Sequence, residues 1–322
     1  MAHSEFDIID RYFRHPSAPG RMPTLGLGDD CALIDLPSSS RWAVTTDTLA
    51  EEVHFHPGTD PERLGHKVLA VSLSDLAAMG ATPAYATLAL TLPRVDEQWL
   101  AAFSEGFFRL ADVFGVSLMG GDTTRGPRSI TVTLIGELPA DRGLTRSGAQ
   151  PGDLIFVSGT LGDAAGALTV MAEAGGNPPL PLRLRLERPE PRVALGQALL
   201  DVASSAIDLS DGLAQDLGHV LGASCVGATV RVDRVPLSDA LRARVPYPRN
   251  LVLALSGGED YELCFTAAAE QREQVIQCGR RCGVPVTEIG FVSEQAGLRL
   301  LDCDGDPFPL SRSGFEHFSH EA

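Results

Sequence analysis

Asp and Glu recur in this chain beside Gly, Ser and Thr in five short strings: GLGDD (26–30), TTDT (45–48), SLSDLAAMGA (72–81), GGDTT (120–124) and IDLSDG (207–212). A carboxylate next to Gly sits on backbone that can approach a ligand closely, and several carboxylates that converge bind hard cations through oxygen. The chemistry suited to such a set is that of metal-bound phosphates. Asp29 and Asp30 stand between a glycine turn and a strand-like run. Asp47 ends an apolar run among Thr45, Thr46 and Thr48, which together offer carboxylate, hydroxyl and carbonyl oxygens to one cation. Asp75 interrupts the apolar series Val71, Leu73, Leu76, Ala77 and Met79, where a carboxylate is costly unless it is paired or metal-bound.

Gly120 and Gly121 directly follow a strand-like segment, so their N–H groups suit phosphate oxygens while Asp122 holds a bridging metal. Asp208 and Asp211 flank Ser210 at a strand-to-helix turn, and SGGEDYEL (256–263) repeats the scheme with Glu259 and Asp260. Each string taken alone has a plainer reading as a solvated turn, a strand end or a helix cap. Two others carry less. SGTLGDAAG (158–166) reads as an anion-binding helix start or a tight turn, and DCDGDP (302–307) as a surface turn whose spacing departs from a calcium loop. His54 and His56 follow the Asp47 run.

The elements that must position these groups alternate. Helical periodicity marks 4–13, 60–79 and 97–114, and strand-like runs mark 31–36, 42–48, 85–92, 117–119 and 129–138. A polar, Gly- and Pro-rich stretch from Pro139 to Gly152 separates this half from the next. The second half gives strands at 154–157, 206–209, 251–254, 261–266, 286–292 and 298–301. Its helices fall at 163–174, 211–221 and 270–282, with a proline-rich loop over 177–191 and a helical return from Arg192. The reading is an α/β chain with two domains, 1–140 and 141–322.

Composition narrows the function. A net charge of -16 argues against a nucleic-acid or anionic-membrane surface, whose affinity comes from clustered Lys and Arg. Lys67 is the single lysine and follows no GxxxxGK string, so a Walker-type phosphate loop is absent and metals with arginines must neutralise any bound nucleotide. Six dispersed cysteines show no zinc spacing, and no leader or membrane-length apolar run is seen, which points to a cytoplasmic protein.

Taken in order, GLGDDCAL, TTDTLAEEVHF, SLSDLAAMGA, GGDTTRG, LTRSGAQPGD, AIDLSDGL, SGGEDYEL and SGFEHF resemble the thiamine-monophosphate kinases, members of the superfamily that includes aminoimidazole ribonucleotide synthetase and selenophosphate synthetase. The resemblance runs nearly end to end. It implies the two-domain aminoimidazole-ribonucleotide-synthetase-like fold, of α+β type with mixed sheets covered by helices, in which the first domain carries the metal and ATP site and the dimer contact and the second completes the phosphate and substrate site. It implies ATP as co-substrate, thiamine monophosphate as acceptor, several Mg²⁺ ions, a homodimer, and the closing step of thiamine diphosphate biosynthesis. By the same resemblance Asp30, Thr45, Thr46, Asp47, Asp75, Asp122, Asp208 and Asp211 are metal ligands, with Asp47, Asp75 and Asp122 the catalytic set. Gly121, Asp122, Arg146 and Ser210 face ATP, and His54, Glu259 and Phe315 contact the thiamine substrate. The tyrosine with which the family contacts nucleotide has no counterpart near Ser104 or Glu105. Selenophosphate synthesis is disfavoured because residues 1–30 hold neither Cys nor Lys. Two alternatives stay open: another ATP-dependent enzyme of the superfamily, and a non-catalytic metal- or nucleotide-binding protein.

Overall fold

The structure, a computed structural model, describes residues 8–21, 23, 40–173 and 176–315. The GLGDD string with Asp30, the strand-like run 31–36 and residues 316–318 lie outside them. The chain divides into two compact units, one of residues 1–76 and 81–142, the other of 77–80 and 143–322, so the break at 142/143 falls inside the Pro139 to Gly152 stretch.

The first unit is a four-stranded sheet in the order β1-β4-β2-β3. Its strands are β1 (Ser40–Ala50), β2 (Thr82–Leu92), β3 (Ser117–Arg125) and β4 (Ser129–Pro139). β4 runs antiparallel to both β1 and β2, while β2 and β3 are parallel and joined through a helix. Helix α1 (Pro61–Met79) precedes β2 and α2 (Glu97–Phe114) follows it. Asp60 starts α1 by accepting the amides of Glu62 and Arg63, and Asp96 starts α2 by accepting that of Trp99 at 3.1 Å. Gly115 ends α2 in the left-handed conformation. The strict alternation of β4 buries Ile130, Val132, Leu134 and Leu138 on one face, while Leu64, Val68, Leu69 and Leu73 of α1 and Leu100, Phe103 and Phe107 of α2 are buried too. Each such side chain contributes about 1.5–3 kcal/mol.

The second unit is built on a six-stranded sheet ordered β10-β7-β9-β5-β8-β6. These strands are β5 (Leu154–Ser158), β6 (Ser205–Asp208), β7 (Gly227–Arg231), β8 (Leu263–Ala267), β9 (Val286–Ser293) and β10 (Gly297–Leu301). All pairings are antiparallel except β10 with β7. The helices are α3 (Asp163–Ala172), α4 (Leu180–Glu187), α5 (Val193–Ala198), α6 (Leu213–Ser224), α7 (Asp239–Arg244), α8 (Arg249–Ser256) and α9 (Arg272–Cys282). Ile155, Val157, Ile207, Leu213, Leu217, Val230 and Ile289 are among the residues of its apolar core.

Three expectations are corrected. Residues 251–254 belong to helix α8, since Leu251, Ala254 and Leu255 are buried at helical and not alternating spacing. The proline-rich stretch 177–191 contains α4, which opens with Pro181 in its first turn, where a missing N–H costs nothing. β3 does not stop at Met119 but runs on to Arg125, and β7 is a strand absent from the sequence reading. Cys225, Cys264, Cys278, Cys282 and Cys303 are free thiols. No helix among the described residues is long and apolar enough to cross a membrane.

Candidate active site

In the first unit the pleat of β1 sorts its residues by face. Ser72 Oγ on α1 donates to Asp47 Oδ2 at 2.7 Å, and Thr45 Oγ1 donates to the Asp75 carboxylate, also on α1. Ser72 and Asp75 are one helical turn apart and so share a face. Loss of hydration, then the neighbouring Asp75 charge, push the Asp47 carboxyl up to about 6, against the opposing bond from Ser72. Two carboxylates and two hydroxyls form an all-oxygen donor set, which fits a hard divalent cation. Among the described residues no group of three or more His, Cys, Asp or Glu side chains is gathered closely enough to hold a metal ion.

The structure does not bring every expected ligand to this pair. Thr46 and Thr48 point to the opposite face of the sheet, where their hydroxyls bond those of Thr133 at 2.9 Å and Thr131 at 2.8 Å. Asp122 is exposed on β3, at the far edge of the sheet from Asp47. The register runs Asp122, Ala89, Thr131, Thr48 straight across the four strands, so three strand spacings of about 4.8 Å put Asp122 roughly 14 Å from β1. Gly121 lies within β3 and not in a loop beyond it. A Cβ there would stand 1.9 Å from the Leu88 carbonyl oxygen, so only glycine permits this pairing.

His54 sits in the turn after β1. Its Nδ1 accepts the Ala50 amide at 3.1 Å, and its carbonyl accepts Nζ of Lys67 at 3.1 Å. Lys67 is 2% exposed, so the one lysine of the chain braces this turn from inside. Ser104 and Glu105 line a cleft with Arg11, Tyr12, Arg14 and Arg109, so a tyrosine from the N-terminal segment stands close to the place where the family carries one.

In the second unit β6 ends at Asp208, which is buried, and the chain turns through Leu209 to Gly212 into α6. Ser210 does not cap that helix. Instead Asp216, in its first turn, accepts the amides of Asp211 and Gly212 at 3.1 Å each and holds the turn. Burial pushes the Asp216 carboxyl up to about 7, with those backbone bonds working the other way and the Asp211 charge adding to the rise. The Phe315 amide donates to the Asp211 carbonyl at 3.0 Å, and Gln215 Nε2 reaches both the Phe315 carbonyl at 3.0 Å and Asp211 Oδ2 at 3.3 Å. The Glu259 amide donates to the Ser210 carbonyl at 2.8 Å. Asp208, Ser210, Asp211, Glu259 and Phe315, far apart in sequence, thus meet around one turn. Arg146 lies beside the start of β6, the strand that leads into this turn. Its exposed residue is tied by its carbonyl to Ser224 at the C-terminal end of α6, while the preceding Thr145 carbonyl accepts the amide of Ala206 on β6 at 2.9 Å.

The loop holding Glu259 is conformationally unusual. Gly258, Glu259 and Tyr261 have φ of 67°, 64° and 50°. At Gly258 a Cβ would also meet the Ser210 carbonyl oxygen at 2.6 Å. Asp260, read with Glu259 as part of one acidic string, is buried, and both its oxygens accept the Gly162 amide, at 2.9 and 3.0 Å. That amide begins α3, so the helix start in SGTLGDAAG is already occupied by a carboxylate of the protein. DCDGDP is a turn closed on itself, with Asp302 Oδ1 accepting the amides of Asp304 and Asp306. The sequence reading did not foresee the bonds that Ser72, Lys67, Gln215 and Asp216 make. Only Asp216 left a signal, an acid in the first turn of a helix.

Against this geometry the comparisons are specific. The chain matches the family models for the AIR synthase related protein N-terminal domain over residues 28–138 and C-terminal domain over 150–302. Thiamine-monophosphate kinase from Salmonella typhimurium is 49% identical over 99% of both chains. A crystal structure of thiamine-monophosphate kinase from Stenotrophomonas maltophilia superposes with a TM-score of 0.83 at 47% identity, covering 89% of this chain and 92% of that one. AaThiL complexed with AMPPCP and TMP superposes with a TM-score of 0.78 at 33% identity, over 88% and 89% of the two chains. Full-length similarity and a common two-domain fold lead to one conclusion: this chain belongs to the thiamine-monophosphate kinase family of AIR synthase related proteins.

Proposed function

We propose that the protein transfers the γ-phosphoryl group of ATP to thiamine monophosphate, giving thiamine diphosphate and ADP, by direct in-line displacement with several Mg²⁺ ions bound. The observation that carries this reading is the Asp47–Asp75 pair, two like charges held together by Ser72 and Thr45 on an all-oxygen face. The 49% identity to a thiamine-monophosphate kinase over the whole chain supports the choice of substrates. AMPPCP and TMP in the AaThiL structure are the pair expected of a kinase that uses ATP on a phosphate monoester.

Asp30, Thr45, Thr46, Asp47, Asp75, Asp122, Asp208 and Asp211 are assigned to metal binding, Thr46 through its main chain because its hydroxyl is engaged with Thr133. Gly121, Asp122, Arg146 and Ser210 are assigned to ATP, and His54, Glu259 and Phe315 to the thiamine substrate. When bound, Mg²⁺ neutralises phosphate charge that these carboxylates would otherwise repel, by about 4 kcal/mol for each pair of unit charges 4 Å apart at an effective dielectric near 20. An acceptor phosphate oxygen of thiamine monophosphate attacks the γ-phosphorus, and the bond to the β,γ-bridging oxygen breaks as ADP leaves. The acceptor has a second pKa of about 6 and is largely dianionic at neutral pH, so no general base is required. The protein contributes alignment and fixed polar groups.

A homodimer in the cytoplasm belongs to the same proposal. The face of the first sheet opposite α1 carries exposed Thr46 and Thr48 and Val44 at 64% exposure, a surface that a second copy would cover. The test of mechanism is ADP–ATP isotope exchange. In-line transfer predicts none until thiamine monophosphate is added, whereas exchange without it would establish a phosphoenzyme.

A further inference from the structure

Asp260 is a side chain that the proposed chemistry leaves without a role, although it is 3% exposed and holds one main-chain amide with both of its oxygens. Around it the backbone is hooked to its neighbours at every second residue. The Glu259 amide bonds the Ser210 carbonyl and the Tyr261 amide bonds the Leu209 carbonyl, each at 2.8 Å. Between these two ties Asp260 turns inward to Gly162. The next inward residue is Glu262, fully buried, which accepts Arg185 at 2.5 Å, Arg192 at 2.6 and 2.7 Å and Ser158 at 2.5 Å. Arg185 also donates to the Asp260 carbonyl at 3.3 Å.

This arrangement explains how Glu259 and Tyr261 are kept at positive φ. A residue with a Cβ loses about 1–2 kcal/mol in the left-handed region and stays there only where its surroundings over-determine it. The ties at 259 and 261 fix the loop to the 209–210 turn on one side. On the other side the Asp260 side chain fixes it to the 159–163 turn, and Asp163 is held in turn by Thr160 at 2.8 Å and Ser238 at 2.5 Å. Without the Asp260 tie the loop keeps its contact with the metal-side turn but loses its brace from behind. The Glu259 carboxylate, which accepts the Tyr261 hydroxyl at 3.3 Å, would then lose its direction.

We propose that Asp260 is a positioning residue: by holding the Gly162 amide it keeps Gly258, Glu259 and Tyr261 in the left-handed region and so presents Glu259 to the thiamine substrate. The proposal rests on the reading above that Glu259 contacts that substrate.

The test uses the full chain with the variants D260A, D260N and E259Q. It combines KM for thiamine monophosphate and for ATP with hydrogen–deuterium exchange over residues 159–163 and 256–262. D260A is expected to raise KM for thiamine monophosphate at least tenfold, leave KM for ATP within twofold, and speed exchange in those two segments while the rest of the chain is unchanged. D260N keeps one oxygen for the Gly162 amide and is expected to bring KM back to within threefold of the parent. Parent-like KM and exchange in D260A would overturn the proposal, and so would an equal rise in both KM values or a D260N as impaired as D260A. Should D260A not fold, D260E carries the same test. It keeps the acceptor but lengthens its reach, and a parent-like KM for thiamine monophosphate would overturn the proposal. An E259Q that leaves KM for thiamine monophosphate unchanged would remove Glu259 from the substrate contact. The clamp is then decided by exchange alone, standing if D260A speeds both segments and falling if it does not.

Discussion

Asp47 and Asp75 repel each other, and the fold keeps them together by giving each a hydroxyl partner, Ser72 and Thr45 respectively. Removing one charge should therefore help the metal-free protein and harm the enzyme. Asp47→Asn is expected to raise metal-free stability by about 1–2 kcal/mol, less than the full shift implies because the site is partly open to solvent. The same change should cut turnover at least a hundredfold and abolish the rise in melting temperature that Mg²⁺ gives the parent. A variant with normal turnover would remove Asp47 from the site. The pH dependence follows from the same group. A cation binds the deprotonated form, and the Asp47 carboxyl is pushed up to about 6, so Mg²⁺ affinity should be flat above that pH and fall towards tenfold per unit below it. Titrating Mg²⁺ by calorimetry from pH 5 to 8 checks this, and an affinity that is flat across the range would contradict it.

At the scale of elements, the 208–212 turn depends on a carboxylate held at an unfavourable charge state. Asp216 has a folded pKa of about 7 against an ordinary value of 3.8, so between these values the native state binds the proton more tightly than the unfolded chain does. Its contribution to stability is fully present below about pH 4 and is lost as pH rises towards 7. Asp216→Asn should therefore gain on the parent by a few kcal/mol between pH 4 and 7 in chelator, as read by urea unfolding, and a constant difference would contradict the assignment. Such a residue shows why sequence reading stops where it does. The acids of TTDT, SLSDLAAMGA and IDLSDG were legible because they stand among hydroxyl residues, break an apolar face or end a strand, although β1 runs on past Asp47 to Ala50, and the helices 61–79 and 97–114 were legible from period and caps. The apolar run in 251–254 fits a buried strand or a buried helix equally well until its tertiary neighbours choose, and here they chose a helix. The opposite sheet edges of Asp47 and Asp122, and the inward turn of Asp260, depend on strand order and long-range bonds that no local pattern encodes.

At the scale of the molecule, a net charge of -16 opposes the approach of ATP and thiamine monophosphate as free anions and favours their entry with divalent cations. The proposed dimer predicts that sedimentation equilibrium at assay concentration returns twice the 34.1 kDa of one chain. A mass of one chain would contradict it. Chemistry decides the rest. The most direct measurement is to incubate the purified protein with ATP, Mg²⁺ and thiamine monophosphate and to separate the products by chromatography, with unphosphorylated thiamine and a chelator in parallel. Thiamine diphosphate formed only from the monophosphate and only with metal is the result expected; a folded, ATP-binding protein that forms none would contradict the proposed function.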